Sequence, residues 1–343
     1  MKILLIGGTG TISSAITRQL AESGHELWLL NRGNRKDEVP AGVRQVVCDI
    51  NDEAGAATPL QQLFEQVEMF DAVCEFIGFL PEQVARDIRL FKGRTRQYVY
   101  ISSASAYNKP AASHVITEGT ALANPYWEYS RNKIASEDLL MKAWREDGFP
   151  VTIVRPSHTY CERSVPVSVH GPKGSWHVLK RMMEGKPVIV HGDGSSLWTL
   201  TWNEDFARGF IGLLGNPKAI GEAFQIMSDE QLTWNQVYEC VGRALHTTPK
   251  LYHVSSDFLA AVAPKEYDLT GNLLGDKAVT VAFDCSKLNR AVPGFCATTR
   301  FDEGVRRCVD YILSHPELQV EDPEFDAWCD ILIATIEKAK QWI

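Results

Sequence analysis

Apolar residues open the chain as an unbroken run, Ile3-Leu4-Leu5-Ile6, and the pattern breaks at Gly7-Gly8-Thr9-Gly10-Thr11-Ile12-Ser13. Past that turn the apolar positions recur at helical spacing until Gly24, so the first unit reads as strand, glycine turn and helix. Short strand-like runs follow at Glu26–Leu30, Val43–Val47, Ala72–Cys74, Gln97–Ile101 and Val151–Val154, with helical segments between most of them. Such alternation predicts an α/β fold: a parallel, doubly wound sheet with helices on both faces. Asn124 and Pro125 predict the start of another helix, as cap and first residue, and Gly148 its stop. The segment 324–343 reads as an amphipathic helix whose apolar face carries Phe325, Trp328, Ile331, Leu332, Ile336 and Trp342. Core packing is the expected use of that face, and a homodimer contact the alternative.

Ligands of doubly wound sheets bind at the carboxyl ends of the strands. Six segments fall there: Gly7–Ser13, Asn31-Arg32, Asp49-Ile50, Phe76–Gly78, Ser102–Ser105 and Arg155–His158. Glycines let the backbone approach a pyrophosphate, and the helix that follows offers free N–H groups. A tight turn without a ligand is the plainer alternative. Tyr129 and Lys133 stand one helical turn apart, so an ammonium there would favour the phenolate and lower the tyrosine from about 10. Surface helices carry that spacing by chance, and it gains weight only from the segments around it.

With these residues in hand, the chain resembles the extended short-chain dehydrogenase/reductase family, its NAD-dependent epimerase/dehydratase group. Gly7-x-x-Gly10, Asp49-Ile50, Ile101-Ser102-Ser103, Glu118, Tyr129-x-x-x-Lys133-x-x-x-Glu137 and Arg155-Pro156 carry the resemblance. Gly185-Lys186-Pro187 and Gly192-Asp193-Gly194 are similar to the family's substrate-domain hairpin, and Asp284-x-Ser286-Lys287 to its late strand. The resemblance implies Tyr129 as acid/base, Lys133 on the nicotinamide ribose and Ser103 on the reacting oxygen. It also implies cofactor contacts from Gly7, Gly10, Thr11, Ile12, Asn31, Arg32, Asp49, Ile50, Phe76, Ile77, Pro156 and His158. The expected substrate is a small, sugar-like molecule carrying a secondary alcohol, met by Ser105, Trp176 and Trp198. Epimerisation or oxidoreduction is the expected reaction. A ketoreductase that exchanges cofactor each turnover, and a non-catalytic nucleotide- or RNA-binding relative, are the rivals.

Departures from the family pattern refine this. Ser13 stands at the third glycine, which predicts retained binding with a slightly altered helix position. The residues after Ser103 are Ala104 and Ser105, so the Asp-Glu pair of the sugar dehydratases is missing and 4,6-dehydration is not expected. Arg32, helped by Arg35 or Lys36, stands where NAD-preferring relatives place an acid, which favours NADP over NAD. Trp198 replaces an arginine that holds a diphosphate in nucleotide-sugar relatives, so a free or glycosidic neutral sugar is expected; Arg163, Lys173 and Arg181 are the alternative clamps.

Composition adds boundaries. A net charge of −8 without a basic stripe disfavours nucleic acid. The apolar N-terminus reads as a sheet strand and not a signal peptide, and no run of about 18 apolar residues predicts a membrane span. Eight scattered cysteines and no metal-ligand spacing fit a cytoplasmic enzyme with free thiols and no metal. A dinucleotide-binding lobe, 1–160, and a substrate lobe, 161–343, partly interleaved with the sheet, are expected.

Overall fold

A computed structural model describes residues 1–35 and 39–342. Its centre is a seven-stranded sheet. The strands are β1 (Lys2–Ile6), β2 (Glu26–Asn31), β3 (Arg44–Val47), β4 (Ala72–Glu75), β5 (Tyr98–Ile101), β6 (Val151–Pro156) and β7 (Glu222–Ile226). They are all parallel, in the order β7-β6-β5-β4-β1-β2-β3. The expected doubly wound α/β sheet is therefore present. Side chains of β1 and β2 alternate between two apolar layers, as a period of two requires. Ile3, Leu5, Leu27 and Leu29 enter one layer, and Leu4, Ile6, Trp28 and Leu30 the other. Helix α1 (Ser13–Glu22) covers the first layer, and α2 (Glu53–Gln66), α3 (Pro81–Phe91) and α4 (Glu128–Asp147) cover the second.

The chain beyond residue 160 builds a second body and also returns to the first. Helix α5 (Trp176–Met183) belongs to the second body, whereas α6 (Asn203–Leu213) packs Phe206, Phe210 and Leu213 into the α1 layer. Strand β7 then pairs with β6, Glu222 opposite Thr152 through Ile226 opposite Pro156. A third core gathers Trp198, Trp234, Tyr238, Phe301 and Phe325 in the second body.

Three local expectations are corrected. Helix α4 begins at Glu128, because the Asn124 side chain accepts the Tyr126 and Trp127 N–H groups and closes a turn ahead of it. Its stop at Gly148 is as expected, with a left-handed φ of 69°. The Gly192 turn joins no hairpin: Pro187–His191 pairs with Lys250–Val254, and Leu197–Trp198 with Leu232–Thr233. The C-terminal helix, Pro323–Lys340, buries Phe325, Cys329 and Leu332, while Ile331 and Trp342 are 66% and 79% exposed. Arg181 anchors that helix through Asp326 at 2.6 Å and Asp330 at 2.7 Å, so it is no phosphate clamp. No helix of the described residues is long and apolar enough to cross a membrane.

Candidate active site

Strand β1 lies between β2 and β4, where the strand order reverses, and a cleft of about 730 Å³ opens at the carboxyl ends of these strands. Gly7 forms one wall with a φ of +88°, and a Cβ there would come within 2.5 Å of Ile77 Cγ2. Beside Gly10 only Ser13 Oγ lies within 4 Å of a built Cβ, so the glycine edge faces the cleft. Ser13 Oγ accepts the Gly10 N–H at 2.9 Å. That hydroxyl is the structural consequence of the missing third glycine. Gly8 supplies the close packing, since a Cβ there would strike Leu29 Cδ1 at 2.1 Å. Helix α1 carries no acid in its first turn and no side-chain cap among the described residues, which leaves its positive end suited to a pyrophosphate.

Thr11, Ile12, Asn31, Arg32, Asp49, Ile50, Phe76 and Ile77 line the same cleft. Asn31 Oδ1 accepts the Gly33 N–H at 2.9 Å, and Asp49 Oδ1 that of Asn51 at 3.0 Å, so both strand ends are fixed by their own side chains. Arg32 is exposed, and Arg35 reaches over to the Thr9 carbonyl at 2.8 Å. Lys36 lies outside the described residues. Beneath the floor, Arg86 holds Ile50 O and Asn51 Oδ1 and pairs with buried Asp87 at 2.8 Å. Glu75 lies alongside, fully buried; burial first, and the Asp87 charge second, push it well above the usual carboxylate range.

Tyr129 and Lys133 end the cleft on α4. The Lys133 ammonium donates to Gly78 O at 2.7 Å and Ile101 O at 2.8 Å, and lies 5.8 Å from the Tyr129 ring centre. Burial pushes Lys133 down to about 7 against the pull of Glu75 and Glu137. The tyrosine is not lowered: burial pushes it up to about 12, the nearby Ser103 opposes this, and the Asp276 charge adds to it. With its ammonium pinned to two carbonyls, Lys133 cannot set the phenol as the four-residue spacing suggests. Trp127 and Phe79 flank the Tyr129 ring at 4.9 and 6.4 Å between ring centres. Asp268 fixes the Trp127 indole N–H at 2.7 Å. Sequence reasoning missed both aromatics, although Phe79 directly follows the Phe76–Gly78 strand end.

The remaining expected residues fall elsewhere. Ser105 is buried, and its hydroxyl is taken by Ser103 at 2.9 Å and Ser130 at 2.7 Å, so it steadies Ser103 from behind. Pro156 is buried in β6, and His158 pairs with Leu200 in a short outer ladder; neither lines the cleft. Burial first, then Lys277 and His170, push His158 down to about 3. Trp176 is packed against the C-terminal segment, its N–H 3.5 Å from Glu321. Trp198 is 1% exposed and stacked at 28° on Trp234, so the expected indole wall of the cleft is a core residue.

Glycine edge, helix end and the tyrosine–lysine pair together suit a nicotinamide dinucleotide. Known proteins are similar over the same ground. The model of the NAD dependent epimerase/dehydratase family matches residues 3–226. A 2'-dehydrokanamycin reductase of Streptomyces kanamyceticus is 27% identical over 295 residues, 86% of this chain and 80% of that one. The chloroplast stem-loop binding protein of 41 kDa b of Arabidopsis thaliana is 26% identical over 276 residues, 78% of this chain and 67% of its own. The structure of UDP-glucuronic acid 4-epimerase from Bacillus cereus, in complex with UDP-glucuronic acid and NAD, superposes with a TM-score of 0.71. It is 21% identical and covers 92% of this chain and 99% of its own. The chain belongs to the NAD-dependent epimerase/dehydratase family and is an enzyme of the short-chain dehydrogenase/reductase type.

Proposed function

We propose that this enzyme reduces a ketone, or oxidises the matching secondary alcohol, on a sugar-like substrate, with NADP as its cofactor. The observation that carries this reading is the Tyr129 hydroxyl, close enough to Ser103 to feel it and kept protonated at neutral pH by burial, at the end of the dinucleotide cleft. A protonated phenol is poised to donate, which is what a ketone needs as it becomes an alkoxide. The bound cofactor supplies the hydride. Tyr129 gives its proton to the forming oxygen, Ser103 orients that oxygen, and Lys133 holds the nicotinamide ribose. Trp127 and Phe79 offer apolar faces on which a sugar ring can lie. Similarity to a 2'-dehydrokanamycin reductase over most of both chains favours net reduction; epimerisation, with hydride returned to the other face, is the second reading. A panel of keto-sugars with NADPH tests it. Loss of the reduced-nicotinamide absorbance in step with product is expected; isomerised product without net cofactor change would make it an epimerase.

Lys133 gives a pH signature. Its pKa lies below the unfolded value, so the ammonium is present below about 7 and is lost as pH rises through that value. The kcat/KM for NADPH, which reports the free enzyme, is expected to fall above about pH 7. Lys133→Met should lose this limb along with much of its rate. An unchanged limb in that variant would assign it to another group.

Cofactor choice rests on Arg32. With Arg32 exposed in the cleft and Asn31 in place of an acid, a 2′-phosphate meets a cation and no repulsion. Arg32→Ala should cost NADP about 1–3 kcal/mol more than NAD in calorimetric titrations. Tighter binding of NAD than NADP to the unmodified protein would reverse the preference.

A further inference from the structure

Behind Tyr129 the second body encloses charges that do not balance. Lys109 and Lys277 are 3% and 5% exposed. Among the described residues, the one carboxylate whose charge acts on either lysine is Asp276. Lys109 Nζ stands 3.7 Å from Asp276 Oδ1, beyond hydrogen-bond length, and Oδ1 has no hydrogen-bond partner. The other recorded neighbour of that ammonium is the face of Trp198, 5.4 Å from the ring centre. Among the described residues the Lys277 ammonium reaches one hydrogen-bond partner, the Ser168 carbonyl at 3.5 Å. His158 and His170 stand near Lys277 and bring no negative charge. Burial, with the Lys277 charge next in rank, holds His158 at about 3 and His170 at about 4. Burial lowers both lysines against the pull of the one carboxylate they share, so two ammoniums here are expensive unless something completes them.

The place is built and tied to the segment that carries Ser103 and Ser105. Three donors hold the Lys277 carbonyl: His191 Nε2 at 3.1 Å, Ser196 Oγ at 3.1 Å and Trp234 Nε1 at 3.2 Å. Asn124 Nδ2 donates to Gly275 O at 2.7 Å and to Ser105 O at 2.8 Å, tying the Asp276 segment to the serine strand end. Asp276 is close enough for its charge to act on Tyr129. Buried polar atoms of Thr159, His191, Trp198 and Thr199 also lack partners among the described residues.

We infer that Lys109 and Lys277 bind an anionic substituent of the substrate, a carboxylate or a phosphoryl group, with Asp276 keeping the empty pair partly compensated. That the bound molecule is also the one Tyr129 acts on rests on the oxidoreductase reading; the anion site does not. It replaces the neutral sugar expected from Trp198 with an acidic one.

The test is calorimetric titration of the full chain loaded with NADPH, using glucose, glucuronate, glucose 6-phosphate and UDP-glucose. At least one anionic sugar should bind about tenfold or more tighter than glucose, and which one names the source of the charge. Lys277→Met should remove the preference at unchanged NADPH affinity, and Asp276→Asn should strengthen it, which lost packing alone would not do. If Lys277→Met no longer binds NADPH, Lys109→Met serves in its place, and Asp276→Asn decides if both fail. Glucose binding as tightly as every anion, or a preference intact in the lysine variant and not strengthened in Asp276→Asn, overturns the site. Repeating the titration in Tyr129→Phe separates the two claims. Retained anion preference, with no ketone reduced by the unmodified enzyme, would remove the reaction and leave the site.

Discussion

Tyr129→Phe is expected to remove most turnover, about 10²–10⁴-fold in kcat, while NADPH affinity stays nearly unchanged. The substitution deletes one hydroxyl and keeps the ring, which packs against Trp127 at 4.9 Å and Phe79 at 6.4 Å between ring centres. Lys133 remains bonded to Gly78 O and Ile101 O, neither of which involves the tyrosine oxygen, so the cofactor side of the cleft keeps its shape. Ser103 keeps Ser105, 2.9 Å away. What disappears is the proton donor. Steady-state reduction rates beside calorimetric NADPH titrations check the split between rate and affinity. Full activity in the variant would end the proposed mechanism. A parallel loss of NADPH affinity would place Tyr129 among the binding groups instead.

The parts of this enzyme legible in the sequence are those where one physical demand dominates. Strands buried on both faces must be apolar throughout, so Ile3–Ile6 and Val151–Val154 announce themselves. A turn against a pyrophosphate must lack side chains, so Gly7 and Gly10 do too. Strand β7 is less readable, because Glu222 is exposed at its start and its sequence partner lies 70 residues earlier. The four-residue step from Tyr129 to Lys133 gives the helix face but not the burial that pushes the phenol up, nor the carbonyls that take the ammonium. Trp198 shows the same limit. An indole reads equally as ring platform or core, and only the Trp234 stack decides. Lys109 lies over 160 residues before Asp276 and Lys277 and meets them only in the folded chain.

Glu137→Ala should be among the most destabilising single substitutions in the nucleotide lobe, at about 3–5 kcal/mol. Arg155 and Glu137 are 6% and 3% exposed along their side chains, with Nη2 and Oε2 2.6 Å apart and Nε at 3.0 Å from Oε1. Both carboxylate oxygens are used, and Ser102 donates a further short hydrogen bond to Oε1. Arg155 goes on to the Tyr107 hydroxyl at 3.2 Å and the Glu118 carbonyl at 3.2 Å, so α4, β5, β6 and the segment after β5 share one buried charge pair. Removing the carboxylate leaves the guanidinium enclosed and uncompensated. Removing both charges does not, and Glu137→Leu with Arg155→Met should recover part of the loss, short of all of it because Ser102, Tyr107 and Glu118 keep polar atoms without their partners. Denaturant titration of the two singles and the double measures the coupling. A Glu137→Ala cost below about 1 kcal/mol would show that water reaches the site and that the pair acts as an exposed one does. Because Ser102 precedes Ser103, the same substitution should also loosen the serine that orients the reacting oxygen. A fall in kcat exceeding the fraction unfolded would separate that local effect from the global one.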